Sequence, residues 1–263
     1  MILGIDFGSS NTDAVLMKDE SIKKTLSFKK DERLDFVLFK LANEKIDKIA
    51  VTGAYGHKYY YQINNIPVKQ IDEIKAIGLG GLYVGKKKEA LVVSIGSGTA
   101  MVSCKKEIKH IGGTPIGGKT FTGLAKLLLN TEDLSKIEKL AAKGNLNNID
   151  LNLKEIYPKG IGLLPPTATA AHFGSFKDYD KNDIALALIN MIAQSIGTLA
   201  VFGAKATGHQ DIILTGRLTK IKLFKKIILD RINTLSCIPV TIPADSEYAT
   251  AIGSVIGESI GVY

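Results

Sequence analysis

Two short glycine-containing turns carry residue types that can hold phosphate groups. The first turn follows an apolar segment, residues 1–5, and the carboxylate Asp6. A second apolar segment, residues 14–16, comes after the turn. This pattern predicts a β-hairpin, because no helical period follows the glycine. The glycine lets the backbone approach an anion, and the turn amides can form an anion-binding nest. The turn consists of Gly8, Ser9, Ser10, Asn11 and Thr12.

Asp6 ends the first predicted strand, so its carboxylate would face the mouth of this hairpin. A carboxylate in that place could hold a magnesium ion through the water molecules of the ion. Taken alone, the stretch is also compatible with an ordinary hairpin that has a polar turn.

The second turn has the same design. Residues 90–106 contain two apolar segments, and between them Gly96, Ser97, Gly98 and Thr99 supply small side chains, hydroxyls and exposed amides. We interpret this unit as an internal repeat of the first hairpin. In the folds of actin, hexokinase and heat-shock ATPases, two such hairpins face each other across a cleft, and each holds one side of the ATP phosphates.

A third glycine-rich stretch, residues 110–118, precedes a predicted helix over 120–129. Thr120 could cap this helix, and its free amides and dipole would then form an anion site. Lys119 would add a positive charge. The stretch contains Gly112, Gly113, Gly117 and Gly118.

Residues 113–120, GTPIGGKT, also match the P-loop pattern GxxxxGK[ST]. A P-loop directly follows a buried strand, whereas residues 105–110, KKEIKH, are too charged for a central parallel strand. We also find no later apolar strand that ends in an acidic partner for magnesium. The P-loop is therefore the minor alternative, and both interpretations share a phosphate site at a helix terminus.

Two neighbouring carboxylates open another predicted helix, over residues 70–83. Helix N-terminal amides favour acidic side chains, so capping explains Asp72. Glu73 could cap as well or act as a base, and the local pattern leaves both roles open.

The remaining patterns alternate between helices and strands, which predicts an α/β fold. The segment 54–65 is predicted as loop or short helix. The helix over 183–207 is apolar almost all round, which indicates burial in the core or against a partner subunit. Predicted strands are 46–52, 66–70, 211–215 and 238–242, and the other predicted helices are 31–45, 133–143, 151–157, 218–233 and 247–260.

Composition limits the function classes. The chain has 263 residues, enough for one large domain or two joined halves, with 45% hydrophobic and 23% charged residues. Its net charge is +8, but the lysines are scattered without interleaved aromatics, so we expect no nucleic-acid partner. Without a leader or a spanning apolar run we expect no membrane association and a cytoplasmic location. Cys104 and Cys237 are predicted to be core thiols.

The chain resembles type II pantothenate kinases of the actin-like kinase superfamily along nearly its whole length. The shared motifs are GIDFGSSNT, IDEIKAIGLGGLY, VVSIGSGTAMV, GGTPIGGKTFTGLAKLL, LAAKGNLNNIDL, EIYP, TAAHFGS, IILTGRL and YATAIGSVIG, in matching order.

The resemblance implies an α/β fold of two ribonuclease-H-like halves, residues 1–88 and 89–263, around an ATP cleft. It also implies a homodimer that transfers the ATP γ-phosphate to the primary hydroxyl of pantothenate, the first step towards coenzyme A.

Roles carried over by position follow from the same resemblance. Glu73 falls on the catalytic carboxylate, and Asp6 on the residue that places Mg²⁺. Pantothenate would be held at Ser97, Thr99, His110 and Gly113. ATP would be held at Asp6, Gly8, Ser9, Ser10, Asn11, Thr12, Gly96, Gly117, Gly118, Lys119, Thr120 and Gly216.

Three positions depart from the pattern of these kinases. His110 stands in place of a substrate-binding arginine, Ala100 in place of a serine, and Asp13 in place of a lysine. A histidine is only partly charged near neutrality and lacks the guanidinium fork. Two alternatives therefore stay open: a kinase of the same fold for another small hydroxylated substrate, and a nucleotide-binding regulator without catalysis.

Overall fold

A computed structural model describes residues 1–29, 34–56, 61–63, 65–175 and 177–261. The strands are β1 Ile2–Phe7, β2 Asn11–Lys18, β3 Ser21–Lys29, β4 Lys48–Thr52, β5 Tyr61–Ile63, β6 Ile66–Gln70, β7 Ala90–Ile95, β8 Thr99–Cys104, β9 Ile108–Thr114, β10 Leu151–Asn152, β11 Thr169–Ala171, β12 Ile212–Thr215 and β13 Val240–Thr241. The α-helices are α1 Leu34–Lys40, α2 Glu73–Gly85, α3 Gly118–Leu129, α4 Leu134–Ala141, α5 Lys181–Thr207, α6 Lys222–Leu235 and α7 Ala249–Ile260.

The two main sheets share one topology. In the first, the order is β3-β2-β1-β4-β6-β5, and in the second it is β13-β12-β7-β8-β9. In each sheet a three-stranded antiparallel meander starts the unit, and two later strands, β4 and β6 or β12 and β13, extend it in parallel from its first strand, while β5 adds an antiparallel edge strand to the first sheet. This repetition confirms the predicted α/β fold and the internal repeat of the two hairpins.

The helices α2 and α7 lie between the sheets and are exchanged. α2 follows the first sheet along the chain but packs on β7, β8, β9 and β12 of the second. α7 follows the second sheet but packs on β1, β2 and β4 of the first, where Val15 and Met17 contact Ala251 and Val255. The domain boundary between residues 88 and 89 therefore stays a prediction, because each sheet is covered by a helix that lies on the opposite side of this boundary in the sequence.

Glycines let these two helices touch along their backbones. A Cβ atom on Gly253 would lie 1.8 Å from the carbonyl oxygen of Ala76, and one on Gly80 would lie 1.7 Å from that of Ala249. Neither position has room for a side chain.

We expect Gly253→Ala to destabilise the protein by about 3 kcal/mol, because backbone atoms rather than flexible side chains must move. Urea unfolding measures the effect. The matched control is Gly123→Ala on the exposed face of α3, where nothing lies within 4 Å of the new methyl group. That change should be neutral or stabilise by up to about 1 kcal/mol. Equal effects at the two sites would contradict the packing argument.

The outer faces of the sheets carry the remaining helices. α1 covers the first sheet, where Val37 and Leu41 join the core around Leu3 and Ile5. On the second sheet, α3, α5 and α6 form the largest core. By length and composition α5 could cross a membrane, but 61% of its most apolar stretch is buried inside the protein, as in a core helix.

Several predicted elements change in the structure. Residues 151–157 do not form a helix, because the amides of Leu153 and Lys154 donate to the carbonyls of Ala168 and Pro166 across a loop. They form β10 and a short 3-10 turn instead. Cys237 is exposed, while Cys104 is buried. The predicted segment 54–65 contains strand β5, and its residues 57–60 and 64 lie outside the described residues, as do 30–33 near the predicted helix 31–45.

Candidate active site

The two predicted turns meet across the gap between the sheets. The hydroxyls of Ser9, between β1 and β2, and Ser97, between β7 and β8, form a hydrogen bond with each other. The hairpins therefore face each other, as their sequences predict.

The start of α3 closes on the second turn. The amides of Gly118 and Lys119 donate to the carbonyls of Gly96 and Ser97, at 2.8 and 3.1 Å. A Cβ atom on Gly117 would lie 2.5 Å from the carbonyl oxygen of Gly98, so only glycine fits. Because these two amides are already bonded, the helix terminus offers fewer free donors to an anion than the sequence predicts.

Two predictions about this segment are wrong. Gly117, not Thr120, is the N-cap of α3, while Thr120 at the third helical position takes part in the cap, since its hydroxyl accepts from the Gly117 amide at 3.4 Å and donates to the Pro115 carbonyl at 2.8 Å. The P-loop alternative also fails, because β9, which precedes α3, is an antiparallel edge strand of the second sheet.

A group of carboxylates lies at the end of the first sheet. Asp6 pairs in register with Asp13 on β2 and with Thr52 on β4, so the three side chains share one face. Burial, then the charge of Glu73, then that of Asp13 raise the pKa of Asp6 to about 7. Glu73 therefore lies close enough to Asp6 for their charges to interact.

Glu73 is the first residue of α2. The residue as a whole is exposed, but protein atoms crowd its carboxyl group, and this burial, followed by the charge of Asp72, raises its pKa. Asp72 caps the helix as predicted, since its Oδ1 accepts from the Lys75 amide at 3.0 Å. The structure thus separates the two neighbours into a capping acid, Asp72, and an acid of raised pKa, Glu73.

The chemistry of Asp6 fits a magnesium ion. Its carboxylate receives no hydrogen bond from the described part of the chain, and its raised pKa marks an anion that lacks a positive partner. Within the same residues, no group of three or more His, Cys, Asp or Glu forms a metal site. Magnesium is commonly held by one or two carboxylates, with phosphate oxygens and water as further ligands. Asp6 can supply that single carboxylate.

Sequence reasoning missed Gly53, which makes room for Asp6. Gly53 follows β4 with φ +85°, and a Cβ atom there would lie 2.3 Å from Oδ1 of Asp6. Next to it, the buried hydroxyl of Thr52 has no hydrogen-bond partner in the described structure. A glycine directly after a strand parallel to β1 is the signal that could have pointed to this position.

The residues predicted to bind pantothenate differ in their burial and in their contacts. Thr99 is buried, and its hydroxyl donates to the Ile116 carbonyl at 2.8 Å. A Cβ atom on Gly113 would lie 2.2 Å from the carbonyl oxygen of Thr99, so this glycine serves close backbone packing. His110 is exposed on β9 opposite Val102, on the sheet face that α2 covers.

Gly216 lies at the end of β12 with φ +100°, and its amide donates to the Ser246 carbonyl at 2.9 Å. A Cβ atom there would lie 2.2 Å from the carbonyl oxygen of Ile95, the last residue before the second turn. The next residue, Arg217, was not singled out by the sequence, yet it forms an ion pair with Asp13 of the first sheet at 2.7 Å.

Comparison with protein families and curated proteins gives consistent matches. The Fumble family model matches residues 87–234, more than half of the chain. The type II pantothenate kinase of Staphylococcus aureus is 24% identical over 266 residues, with 97% of this chain and 98% of that protein covered. The 4'-phosphopantetheine phosphatase of Mus musculus is 35% identical over 135 residues, which span 48% of this chain and only 16% of the mouse protein.

Solved structures show the same fold at low identity. The activator of 2-hydroxyisocaproyl-CoA dehydratase from Clostridium difficile, with bound ADPNP, has a TM-score of 0.68 and 16% identity, covering 100% of this chain and 98% of its own. A ROK family glucokinase from Streptomyces griseus, in complex with glucose and AMPPNP, has a TM-score of 0.59 and 12% identity, covering 96% and 97%. These likenesses confirm the predicted actin-like fold.

Proposed function

The chain belongs to the Fumble family, and from this membership and the geometry of the cleft we propose that it phosphorylates pantothenate with ATP. One observation carries the proposal. Glu73, a carboxylate of raised pKa, interacts electrostatically with Asp6, which lies two residues before the first hairpin turn, and the two turns meet through Ser9 and Ser97. A base next to a triphosphate-binding site is the minimum that phosphoryl transfer to an alcohol requires.

Each group then has a distinct task. The turn 8–12 and Gly96 would hold the phosphates of ATP, and Asp6 would hold Mg²⁺, which neutralises phosphate charge when bound. Glu73 would accept the proton of the pantothenate hydroxyl while the hydroxyl oxygen bonds to the γ-phosphorus. The bond between the γ-phosphorus and the oxygen that leaves with ADP breaks at the same time. Alignment and charge neutralisation supply most of the rate enhancement in such reactions.

The remaining residues would surround these groups. We propose that Ser97 and His110 contact pantothenate through their side chains and that Thr99 and Gly113 shape this side through their backbone, because the Thr99 hydroxyl is already bonded. Gly216 would lie on the adenosine side. On the phosphate side, Gly117, Gly118, Lys119 and Thr120 would act mainly through the Lys119 charge.

A homodimer in the cytoplasm is the proposed working form. Phe202 on α5 is 57% exposed, which leaves an apolar side chain of this long helix available to a partner subunit. Size-exclusion chromatography with light scattering measures the state directly.

The pH dependence of turnover should report on Glu73. A base works only when deprotonated, so kcat should fall as pH drops through its pKa, which lies above the usual value for glutamate. Asp72→Asn removes a charge that raises this pKa but keeps a capping side chain. We expect the acid limb of kcat to move to lower pH in this variant, with the plateau unchanged. An unmoved acid limb would exclude Glu73 as the titrating group.

A coupled assay of ADP release tests the function itself. Pantothenate is compared with pantetheine, pantothenol, glucose and glycerol at equal ATP and Mg²⁺, and pantothenate should give the highest kcat/KM. His110 in place of an arginine favours the alternative of another acceptor, because an imidazole holds a carboxylate less firmly. Higher kcat/KM with the uncharged pantothenol would support that alternative. Tight ATP binding without product from any acceptor would indicate a non-catalytic regulator.

A further inference from the structure

Arg217 joins the two halves of the protein through one guanidinium nitrogen. Its Nη2 donates to Oδ1 and Oδ2 of Asp13, at 2.7 and 3.0 Å, and to the Ser27 hydroxyl at 2.9 Å. Arg217 follows β12 of the second sheet, whereas Asp13 and Ser27 lie on β2 and β3 of the first. The ion pair therefore spans the cleft between the sheets.

The pair is partly withdrawn from water. The side chain of Asp13 is 13% exposed and that of Arg217 is 37% exposed. Burial raises the pKa of Asp13, and the charge of Arg217 and hydrogen bonds from Ser27 and Arg217 oppose this rise, so removal of Arg217 would leave a mostly buried carboxylate without its positive partner.

Asp13 lies on β2, which follows the first phosphate turn, whereas Arg217 follows β12, the parallel neighbour of the strand β7 that precedes the second turn. Asp13 pairs in register with Asp6 and lies just beyond the turn 8–12. Arg217 follows Gly216, whose backbone packs against Ile95 immediately before the second turn. A shift of Arg217 relative to Asp13 would therefore move one turn relative to the other.

We propose that the Asp13–Arg217 pair is an interdomain latch that fixes the spacing of the two phosphate turns. Both residues are positioning residues. The Ser9–Ser97 hydrogen bond joins the tips of the same turns, and a nucleotide bound between the turns would replace it under the proposed function. The latch is separate from the tips of the turns and holds the two halves in place when the Ser9–Ser97 hydrogen bond is broken. The effect of the latch on ATP affinity rests on the proposed function, whereas its effect on the spacing of the two turns does not.

A distance measurement tests the latch without nucleotide. Cys237 is exposed and free in the second half, and Lys23→Cys places a second label on exposed β3 of the first. Burial raises the pKa of Cys104 to about 12, so that thiol stays unlabelled. Pulsed electron paramagnetic resonance on the spin-labelled pair should give a narrow distance distribution in the parent and a broader one in Asp13→Asn and in Arg217→Gln.

The matched control is Lys222→Gln, which removes the same charge five residues away. Lys222 is exposed at the start of α6 in the second half. Its distribution should equal that of the parent. Arg217→Lys keeps a positive charge on a shorter side chain and should give an intermediate width. Unchanged distributions in both Asp13→Asn and Arg217→Gln would overturn the latch.

ATP affinity by titration calorimetry tests the consequence for the site. Each single variant should raise the Kd for ATP by about threefold to tenfold, and the double variant should raise it no further, because one interaction is lost in all three. Additive losses, or no loss, would overturn the positioning role. If the parent binds no ATP, the proposed function fails, and the label distances alone decide on the latch.

Discussion

Glu73→Gln is expected to lower kcat for phosphate transfer from ATP to pantothenate by about two to four orders of magnitude. The amide keeps the size of the side chain at the start of α2 but cannot accept a proton at neutral pH. The Kd for ATP should stay within about twofold of the parent, because in the proposed mechanism Glu73 acts on the acceptor and not on the nucleotide. Stopped-flow or steady-state ADP release and calorimetry measure the two quantities.

Asp72→Asn is the matched control for this variant. It removes the same charge from the adjacent residue, and an asparagine caps the helix about as well as an aspartate. At neutral pH its kcat should be close to that of the parent. If Glu73→Gln retained the turnover of the parent, or if both variants lost it equally, Glu73 would have no role as the base.

Asp6→Asn should make the protein more stable and abolish its activity. The folded protein raises the pKa of Asp6 from 3.8 to about 7, so between these values the folded state binds more protons than the unfolded state. This carboxylate therefore destabilises the fold increasingly as pH rises through that window. Asparagine carries no charge and removes the penalty, which is of the order of 2 kcal/mol when relaxation is allowed for.

Urea unfolding at several pH values measures this effect. The gain of Asp6→Asn over the parent should be small near pH 4 and largest above about pH 7. Asp47→Asn is the control, because hydrogen bonding to the N-terminal ammonium lowers the pKa of Asp47 and the same change should give no gain. Added ATP and Mg²⁺ should stabilise the parent more than Asp6→Asn. A variant less stable than the parent at pH 8 would contradict the electrostatic argument.

The parts of the site that depend on local sequence were predictable. Both hairpins follow from apolar segments on either side of glycine turns, and the Asp72 cap follows from an acid before a helical period. The proposed role of Glu73 as a base does not follow from its neighbours, because capping and base catalysis place the same residue type at the same position. That distinction came from the resemblance to pantothenate kinases.

The parts that depend on distant contacts were not predictable. Thr120 is a good capping residue by type, but the second turn sits over the start of α3 and the cap falls on Gly117. Residues 151–157 have helical spacing, yet their amides bond to a loop that comes later in the chain. The contact between Asp13 and Arg217 joins residues 204 positions apart, so no local pattern announces it.

The exchange of α2 and α7 makes the halves inseparable. During synthesis, the first sheet is made long before α7, the helix that covers Val15 and Met17. This apolar face therefore stays exposed to water until the chain beyond the second sheet has been made. A fragment ending at residue 88 would expose that face and carry an α2 that lacks β7, β8, β9 and β12, the strands on which it packs. We therefore expect neither half to fold alone, and a loss of stability at the crossing of the two helices should affect both halves.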